Sequence, residues 1–293
     1  MSSAKGARKI KLIKRIFIVW GIALGWTIIG QWAPVVFGIL HIETADASNY
    51  PMQLLLMYGE GVGIMLMYLR YRHDPALLGL TKKNVGRDIA RGVLAGLVFF
   101  ALIWSVISLF GGYHVTVAFR WHYLPWLILF LFGYGVQSMF EETVSRGYTM
   151  GYWLERGHYV LAFSTNVILF ALLHGGNPGF DWYAIAGLLL FGIAMSALRL
   201  ISHNIWLCSA FHGTWNFAEG CIFGTSVSGL TSSGMVLTST PTTTQQFLTG
   251  GSFGLERSGV SIIAHLLLVL LLFVLLRSHF GKFSVGQKSF LHS

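Results

Sequence analysis

Long apolar stretches alternate with short polar ones along the chain, and the apolar stretches have the length of membrane-spanning helices. An α-helix needs about 20 mainly apolar residues to cross the hydrocarbon core of a bilayer. Eight stretches approach this length, and they cover residues 16–40, 51–69, 92–112, 121–150, 158–174, 182–198, 203–223 and 258–276. The pattern therefore predicts an all-α, polytopic membrane protein with about eight transmembrane helices.

A single membrane domain over residues 1–293 is expected, because the predicted helices occupy most of the chain. One long polar stretch, residues 224–257, separates the last two apolar segments. Gly, Ser and Thr make up 20 of its 34 residues, a composition typical of flexible linkers. We expect a flexible external loop here, with an ordinary linker favoured over a lid or a docking segment.

Composition and charge support the membrane assignment and indicate its orientation. Hydrophobic residues make up 54% of the chain and charged residues 11%, against about 25% charged in typical soluble domains. With eight spans and a cytoplasmic N-terminus, all of the 20 Lys and Arg except Arg120 and Arg257 fall at or near the cytoplasmic side. Cytoplasmic loops of membrane proteins are rich in Lys and Arg. The net charge of +9 therefore indicates topology, with both termini cytoplasmic and no nucleic-acid partner.

Polar and ionisable side chains interrupt several of the predicted spans. Such groups are costly in lipid unless they are paired or hydrated, so each is a candidate functional residue. The candidates are Glu60, Glu141, Glu142, Arg146, His174, His212, Asn216, Glu219 and His265. Glu60 is expected to pair with a neighbouring helix, His265 to be lipid-facing or packed, and Glu219 to line a cavity or approach its mouth.

The stretch EETVSRG at 141–147 follows an apolar run and carries three charged residues. Glu142 and Arg146 are four residues apart, so they share one helix face and can form an ion pair. Glu141 is turned about 100° from Glu142 and is left free to face other groups. The spacing predicts a structural ion pair beside a carboxylate that accepts protons. An interfacial charge cluster at a cytoplasmic helix end is the alternative interpretation.

Two further patterns share the four-residue spacing. FALLH places Phe170 and His174 on one face of the fifth predicted span, and HGTWN places His212 and Asn216 on one face of the seventh. A lone histidine in a membrane helix is usually a hydrogen-bonded packing residue. Together with Glu141, however, these side chains can supply a base, a water-orienting imidazole and two donors to an oxyanion.

The three patterns resemble the EExxxR, FxxxH and HxxxN motifs of the CAAX protease and bacteriocin-processing family. This family of intramembrane proteases includes the Ras-converting CAAX endopeptidase. The motifs occur in the family's order, each in an apolar span, and the resemblance covers about residues 121–223. It implies an intramembrane endopeptidase that hydrolyses a peptide bond in a membrane-associated peptide or protein.

The resemblance also implies a role for each motif residue. Glu141 and His174 match the positions that activate the attacking water, and His212 and Asn216 match those that stabilise the tetrahedral oxyanion. Glu142 and Arg146 match supporting positions.

The predicted spans place His174 at the external end of its helix and Glu141 nearer the bilayer centre. A shared water therefore requires a later helix start or an irregular segment.

Metal dependence divides into two hypotheses. Glu141, His174 and His212 could hold Zn²⁺ with an open coordination position. The chain has no HExxH pattern, and the resemblance favours a glutamate-activated water without metal. We therefore predict a metal-free site with no cofactor, with zinc as the alternative.

Two other functions compete with proteolysis. The first is a non-catalytic bacteriocin-immunity or regulatory membrane protein of the same family, although a pure binder has no chemical need for Glu141. The second is a small transporter that uses the ionisable residues as a proton relay, although no internal repeat is detectable.

The expected location is the membrane of a bacterial cell, with the bilayer and a peptide or protein substrate as partners. The sequence does not indicate whether that substrate is prenylated, or the oligomeric state.

Overall fold

The computed structural model describes residues 2–44, 46–232, 234–242 and 244–283. Met1 and residues 284–293, including Lys288, lie outside these ranges, and the cytoplasmic location of both termini stays a prediction. Helices dominate, as predicted. The α-helices are α1 (Ser2–Gly30), α2 (Trp32–Ile39), α3 (Tyr50–Tyr71), α4 (Pro75–Leu78), α5 (Val85–Leu109), α6 (Leu124–Glu142), α7 (Met150–Leu154), α8 (Tyr159–Leu173), α9 (Trp182–Ser202), α10 (Trp206–Phe217), α11 (Gln246–Thr249) and α12 (Gly259–Phe283).

Shorter elements complete the fold. The strands are β1 (Tyr113–Val117) and β2 (Leu237–Pro241), and 3₁₀ turns cover Trp121–Tyr123 and Leu255–Arg257. Two stretches are π-helical. The first π segment, Thr143–Thr149, connects α6 to α7, and the second π segment, Ala218–Ile222, continues α10.

Six helical stretches in the described part of the chain are long and apolar enough to cross a membrane. They are Ile10–Gly30, Tyr50–Tyr71, Val85–Leu109, Trp121–Leu154, Trp182–Ser202 and Gly259–Ser278. The prediction of an all-α, multi-pass integral membrane protein is confirmed.

The structure differs from the prediction at two of the eight spans. Residues 158–174 give the 15-residue α8, and residues 203–223 give the 12-residue α10 followed by the second π segment. Much of each helix is buried against other helices. A helix that packs mainly against protein need not match the thickness of the bilayer.

Two glycines allow α10 to pack closely against α5. A Cβ at Gly92 would lie 2.5 Å from the carbonyl oxygen of Leu207, and a Cβ at Gly96 would lie 2.4 Å from that of Phe211. Small residues four apart are a common device for close helix contact in membranes. This contact fixes α10, which carries the HGTWN motif, beside α5 and α6.

Residues 224–257, predicted to form a flexible loop, contain regular structure in the ranges described. β2 pairs antiparallel with β1, with Val115 opposite Ser239. α11 and the second 3₁₀ turn follow, and the side chains of Leu255, Glu256 and Arg257 are buried. The segment therefore packs onto the helices, which its composition did not indicate. Its flexibility stays a prediction.

Asp181 anchors this segment to the start of α9. Its side chain caps the helix by accepting from the backbone N–H groups of Tyr183 at 3.0 Å and Ala184 at 3.1 Å. It also accepts from Arg257, with Nε at 3.0 Å and with Nη2. The hydrogen bond from Arg257 is the main reason that the pKa of Asp181 lies below its ordinary value of 3.8.

We expect Asp181→Asn to destabilise the protein in a pH-dependent way. Asparagine also caps helices, so the substitution chiefly removes the charge that pairs with Arg257. A carboxyl with a lowered pKa in the folded state stabilises it above the unfolded-state pKa, and this stabilisation is lost as the pH falls through the folded-state pKa. The melting temperature of Asp181→Asn should therefore be lower than that of wild type at pH 7, and the difference should shrink as the pH falls below the ordinary Asp pKa of 3.8. A difference that is constant with pH would contradict this account.

Candidate active site

The EETVSRG stretch lies where α6 changes into the first π segment. Glu141 and Glu142 are the last two residues of α6, and Arg146 lies within the π-helical turns that follow. π-helical turns are rare and often occur at functional sites. The side chain of Glu142 is fully buried, whereas that of Glu141 is 21% exposed. The two neighbouring carboxyls therefore have different surroundings, as the helical spacing predicts.

Glu142 and Arg146 form the predicted ion pair. Nη1 of Arg146 donates to Oε1 of Glu142 at 2.9 Å, and both side chains have no exposed surface. Nη2 donates to the carbonyl oxygen of Gly192 at 3.2 Å, and the guanidinium lies 4.3 Å from the centre of the Phe170 ring. A buried ion pair needs such additional contacts, because desolvation opposes its Coulomb energy. The pair links α6, α8 and α9.

His212 contacts both carboxyls of the EETVSRG stretch. Nδ1 of the imidazole lies 3.0 Å from Oε1 of Glu142, and Nε2 lies 3.9 Å from Oε2 of Glu141. Because a carboxylate accepts hydrogen bonds, the Nδ1 proton belongs on the side of Glu142. Glu142 thus orients the ring and turns Nε2 toward Glu141.

His174 follows the last residue of α8 and is oriented by its own helix. Nδ1 lies 2.8 Å from the carbonyl oxygen of Phe170. A carbonyl oxygen accepts, so Nδ1 carries the proton of the neutral ring and Nε2 is its acceptor nitrogen. His174 therefore has a nitrogen suited to bind a water proton.

A cavity of about 200 Å³ brings the three motifs together. Glu141, His174 and Asn216 all line it, and His212 lies behind Glu141. The depth difference predicted between Glu141 and His174 does not keep the two residues out of one cavity. The later helix start considered above is not found, since α8 begins at Tyr159. The other lining residues are Thr27, Gln31, Gln137, Phe140, Val144, Ser145, Phe170, Leu173, Asn177, Val227, Ser228 and Leu230.

Several oxygens at this cavity have no hydrogen-bond partner within the described residues. They include Oε2 of Glu141, Oε1 of Gln137 and Oδ1 of Asn216. Buried polar atoms without partners are rare in folded proteins and call for an explanation. All three residues line the cavity, so a water or a substrate placed there can satisfy them.

Zinc is the alternative to a metal-free site. Nδ1 of His212 is directed at Glu142 and Nδ1 of His174 at the carbonyl of Phe170, which leaves Nε2 of each ring as its possible ligand atom. Across the described ranges, no three His, Cys, Asp or Glu side chains form a group that could hold a metal ion. The prediction of a metal-free reaction is not tested by this geometry and stays a prediction.

The remaining polar candidates, Glu60, Glu219 and His265, do not line the cavity. Glu60 is buried on α3 and interacts with Gln31, which does line the cavity. Glu219 is fully buried in the second π segment. His265 is buried rather than lipid-facing, and its Nδ1 lies 2.9 Å from the carbonyl oxygen of Ser261.

The three sequence motifs do not indicate every residue of the cavity lining, and two groups of lining residues illustrate this. Gln31 follows the end of α1, and nothing in the local pattern marks it. Val227, Ser228 and Leu230 belong to the segment predicted to be a linker. The Ser-Gly pair at 228–229 is a turn signal, but a turn signal does not indicate which cavity the turn will contact.

Comparison with known families supports the resemblance suggested by the motifs. The model of the Rce1-like family, described as type II CAAX prenyl endopeptidase Rce1-like, matches residues 120–218. No curated protein and no solved structure matches the chain. The matched segment runs from just before α6 to just after α10, so it includes every predicted motif residue. The predicted resemblance is thus confirmed, and residues 120–218 carry the sequence pattern of the Rce1-like family of CAAX proteases.

Proposed function

We propose that the protein is an intramembrane endopeptidase that hydrolyses a peptide bond with a water activated by Glu141 and His174. The substrate is a peptide or protein associated with the bilayer, and the membrane is that of a bacterial cell. The observation that carries the proposal is that Glu141, His174 and Asn216 line one cavity while His212 contacts Glu141. The match to the Rce1-like family supports a peptidase over other hydrolases.

Glu141 is the general base in this proposal. Its carboxylate takes a proton from a water in the cavity, while Nε2 of His174 orients that water. The oxygen of the water attacks the carbonyl carbon of the scissile bond and forms a tetrahedral intermediate. The proton held by Glu141 then passes to the departing amine as the carbon–nitrogen bond breaks, which returns the carboxylate to its starting state.

His212 and Asn216 stabilise the negative oxygen of the tetrahedral intermediate. The amide Nδ2 of Asn216 donates directly, and His212 donates from Nε2 when both ring nitrogens carry protons. Glu142 accepts from Nδ1 of His212, which leaves Nε2 on the side of Glu141, a residue of the cavity lining. Arg146 supports Glu142 from the buried side. Glu142 holds the ring of His212 before the reaction begins, so this donor can stabilise charge without reorganisation.

Asn216→Ala is expected to lower kcat by about 100-fold or more, because one oxyanion donor is worth this much in other hydrolases. KM should change little, since the donor acts mainly in the transition state. The measurement is steady-state cleavage of a fluorogenic membrane peptide by purified protein in liposomes. Asn216→Asp, which keeps the shape of the side chain but has no amide donor, should be equally impaired.

Thr214→Val is the matched control for this prediction. Thr214 is buried on the same helix but is absent from the cavity lining. The Thr214→Val variant should therefore cleave the peptide at a rate close to that of wild type. If the wild-type protein cleaves no membrane peptide, the proposed function is wrong. If it cleaves peptides and Asn216→Ala matches wild type, the assignment of the oxyanion donor is wrong.

A further inference from the structure

A tight turn from the polar 224–257 segment forms part of the cavity wall. Val227 and Leu230 exchange two backbone hydrogen bonds of 2.9 Å and 2.8 Å, and both line the cavity with Ser228. The two central residues have positive φ, +47° at Ser228 and +88° at Gly229, as in the two-residue turns of β-hairpins. We call residues 227–230 the 227–230 turn.

Contacts from two sides hold the 227–230 turn against the helices. Nδ2 of Asn177 donates to the carbonyl oxygen of Ser228 at 2.7 Å, and the backbone N–H of Gly229 donates to the carbonyl oxygen of Phe253 at 2.6 Å. A Cβ at Gly229 would lie 2.4 Å from the carbonyl oxygen of Pro178, so this position requires glycine both for its φ and for its space. These contacts hold the 227–230 turn in place on the cavity wall.

Glu256 determines the direction of the Ser228 hydroxyl. Oγ of Ser228 donates to Oε2 of Glu256 at 2.6 Å, a short hydrogen bond to a carboxyl 9% exposed. Burial raises the pKa of Glu256, while the Ser228 hydrogen bond and the nearby imidazoles of His174 and His212 oppose that effect. With its proton donated to Glu256, the Ser228 oxygen can only accept hydrogen bonds from a group in the cavity.

We propose that Ser228 binds a backbone N–H of the substrate peptide and that Glu256 is the positioning residue that aims its hydroxyl. This inference rests on the proposed function. Neither residue lies in the segment that matches the Rce1-like family, which ends at residue 218. Val227 and Leu230 contribute apolar lining to the same cavity.

This arrangement restricts the form of the substrate. A backbone N–H in a membrane helix is already donated within that helix, so it is not available to Ser228. Unpaired N–H groups occur where a peptide is extended or in the first turn of a helix. The 227–230 turn therefore selects substrate segments that are unwound at the cleaved bond.

The test measures binding and cleavage separately. Binding uses a membrane peptide in which the scissile amide is replaced by a reduced CH₂–NH bond, so that it cannot be hydrolysed. Cleavage uses the natural-amide version of the same peptide. The variants are Ser228→Ala, Glu256→Ala, Glu256→Gln and the double variant Ser228→Ala/Glu256→Ala, each as full-length protein in liposomes.

Ser228→Ala is expected to raise both Kd and KM about fivefold, the usual effect of one hydrogen bond, with kcat little changed. Glu256→Ala should raise Kd by a similar factor. The double variant should be no weaker than Ser228→Ala, because the two residues act through one contact. Glu256→Gln should restore most of the affinity lost in Glu256→Ala, since its amide oxygen still accepts from Ser228.

Ser232→Ala is the matched control, since Ser232 lies in the same segment but donates to the carbonyl oxygen of Thr225 and does not line the cavity. Its Kd should equal that of wild type. Equal Kd values for wild type and Ser228→Ala, or additive effects in the double variant, overturn the inference whatever the cleavage result. A wild-type protein that binds the peptide but does not cleave it overturns the proposed function alone.

Discussion

Glu141→Gln is expected to lower kcat for peptide cleavage by about 1,000-fold or more. The amide has nearly the same shape as the carboxylate but cannot take a proton from water, and general-base catalysis contributes roughly 100- to 10,000-fold. The substitution also removes a carboxyl with an unpartnered oxygen at the cavity, so it should not weaken the fold. The measurement combines single-turnover cleavage in liposomes with the melting temperature of the purified protein.

Glu155→Gln provides the control for this variant. Glu155 follows α7, and its side chain is 36% exposed and paired loosely with Arg156 at 3.7 Å. It should cleave at the wild-type rate. Full activity in Glu141→Gln would falsify the assignment of Glu141 as the base.

The Glu141→Gln variant also offers a way to identify the substrate. It keeps the cavity and the binding contacts of Ser228 while chemistry is blocked. Peptides that co-purify with it, and not with Glu155→Gln, can be sequenced by mass spectrometry. Whether those peptides carry a prenyl group is read from their mass.

Arg146→Met is expected to destabilise the protein by about 3–5 kcal/mol, because it leaves the carboxylate of Glu142 buried without a compensating charge. Both side chains of this pair have no exposed surface, so water cannot replace the guanidinium. His212 would lose its fixed orientation at the same time, since it shares Oε1 of Glu142 with Arg146. The melting temperature should fall sharply, and cleavage should be lost at temperatures where wild type is active.

A double variant separates these two effects. Arg146→Met combined with Glu142→Gln removes both charges, and replacing a whole buried ion pair by neutral groups is often tolerated. Its melting temperature should recover toward wild type, whereas its activity should stay low because the charge that holds His212 is absent. A double variant as unstable as Arg146→Met would contradict the ion-pair explanation.

Local spacing was enough to predict which charged side chains pair within one helical stretch. The four-residue separation of Glu142 and Arg146 predicted their ion pair, which the structure contains. The same reasoning separated Glu141 from Glu142, and the two carboxyls do have different exposures. Both features depend on the geometry of one or two helical turns. The spacing of residues in the sequence is enough to define that geometry.

Helix irregularities could not be predicted in the same way. The first π segment begins directly after Glu142, and the second follows α10. A π-helical turn differs from an α-helical one by a single residue in its hydrogen bonding, and apolar spacing does not distinguish them. The short lengths of α8 and α10 were missed for a related reason. An apolar run indicates that a segment is hydrophobic, but it does not indicate whether lipid or other helices will surround that segment.

The 227–230 turn was missed because its position depends on distant parts of the chain. Asn177, Phe253 and Glu256 hold it through contacts that no short pattern encodes. The Gly, Ser and Thr content of residues 224–257 predicted a linker on composition alone. The same small residues are what permit tight turns packed against helix ends.

The pairing of β1 with β2 has a consequence for biosynthesis. β1 leaves the ribosome early, before the helix that carries Glu141, whereas β2 follows the last motif helix. The two strands can pair only after the intervening helices have been synthesised. The sheet is therefore completed late, once translation has passed the second strand.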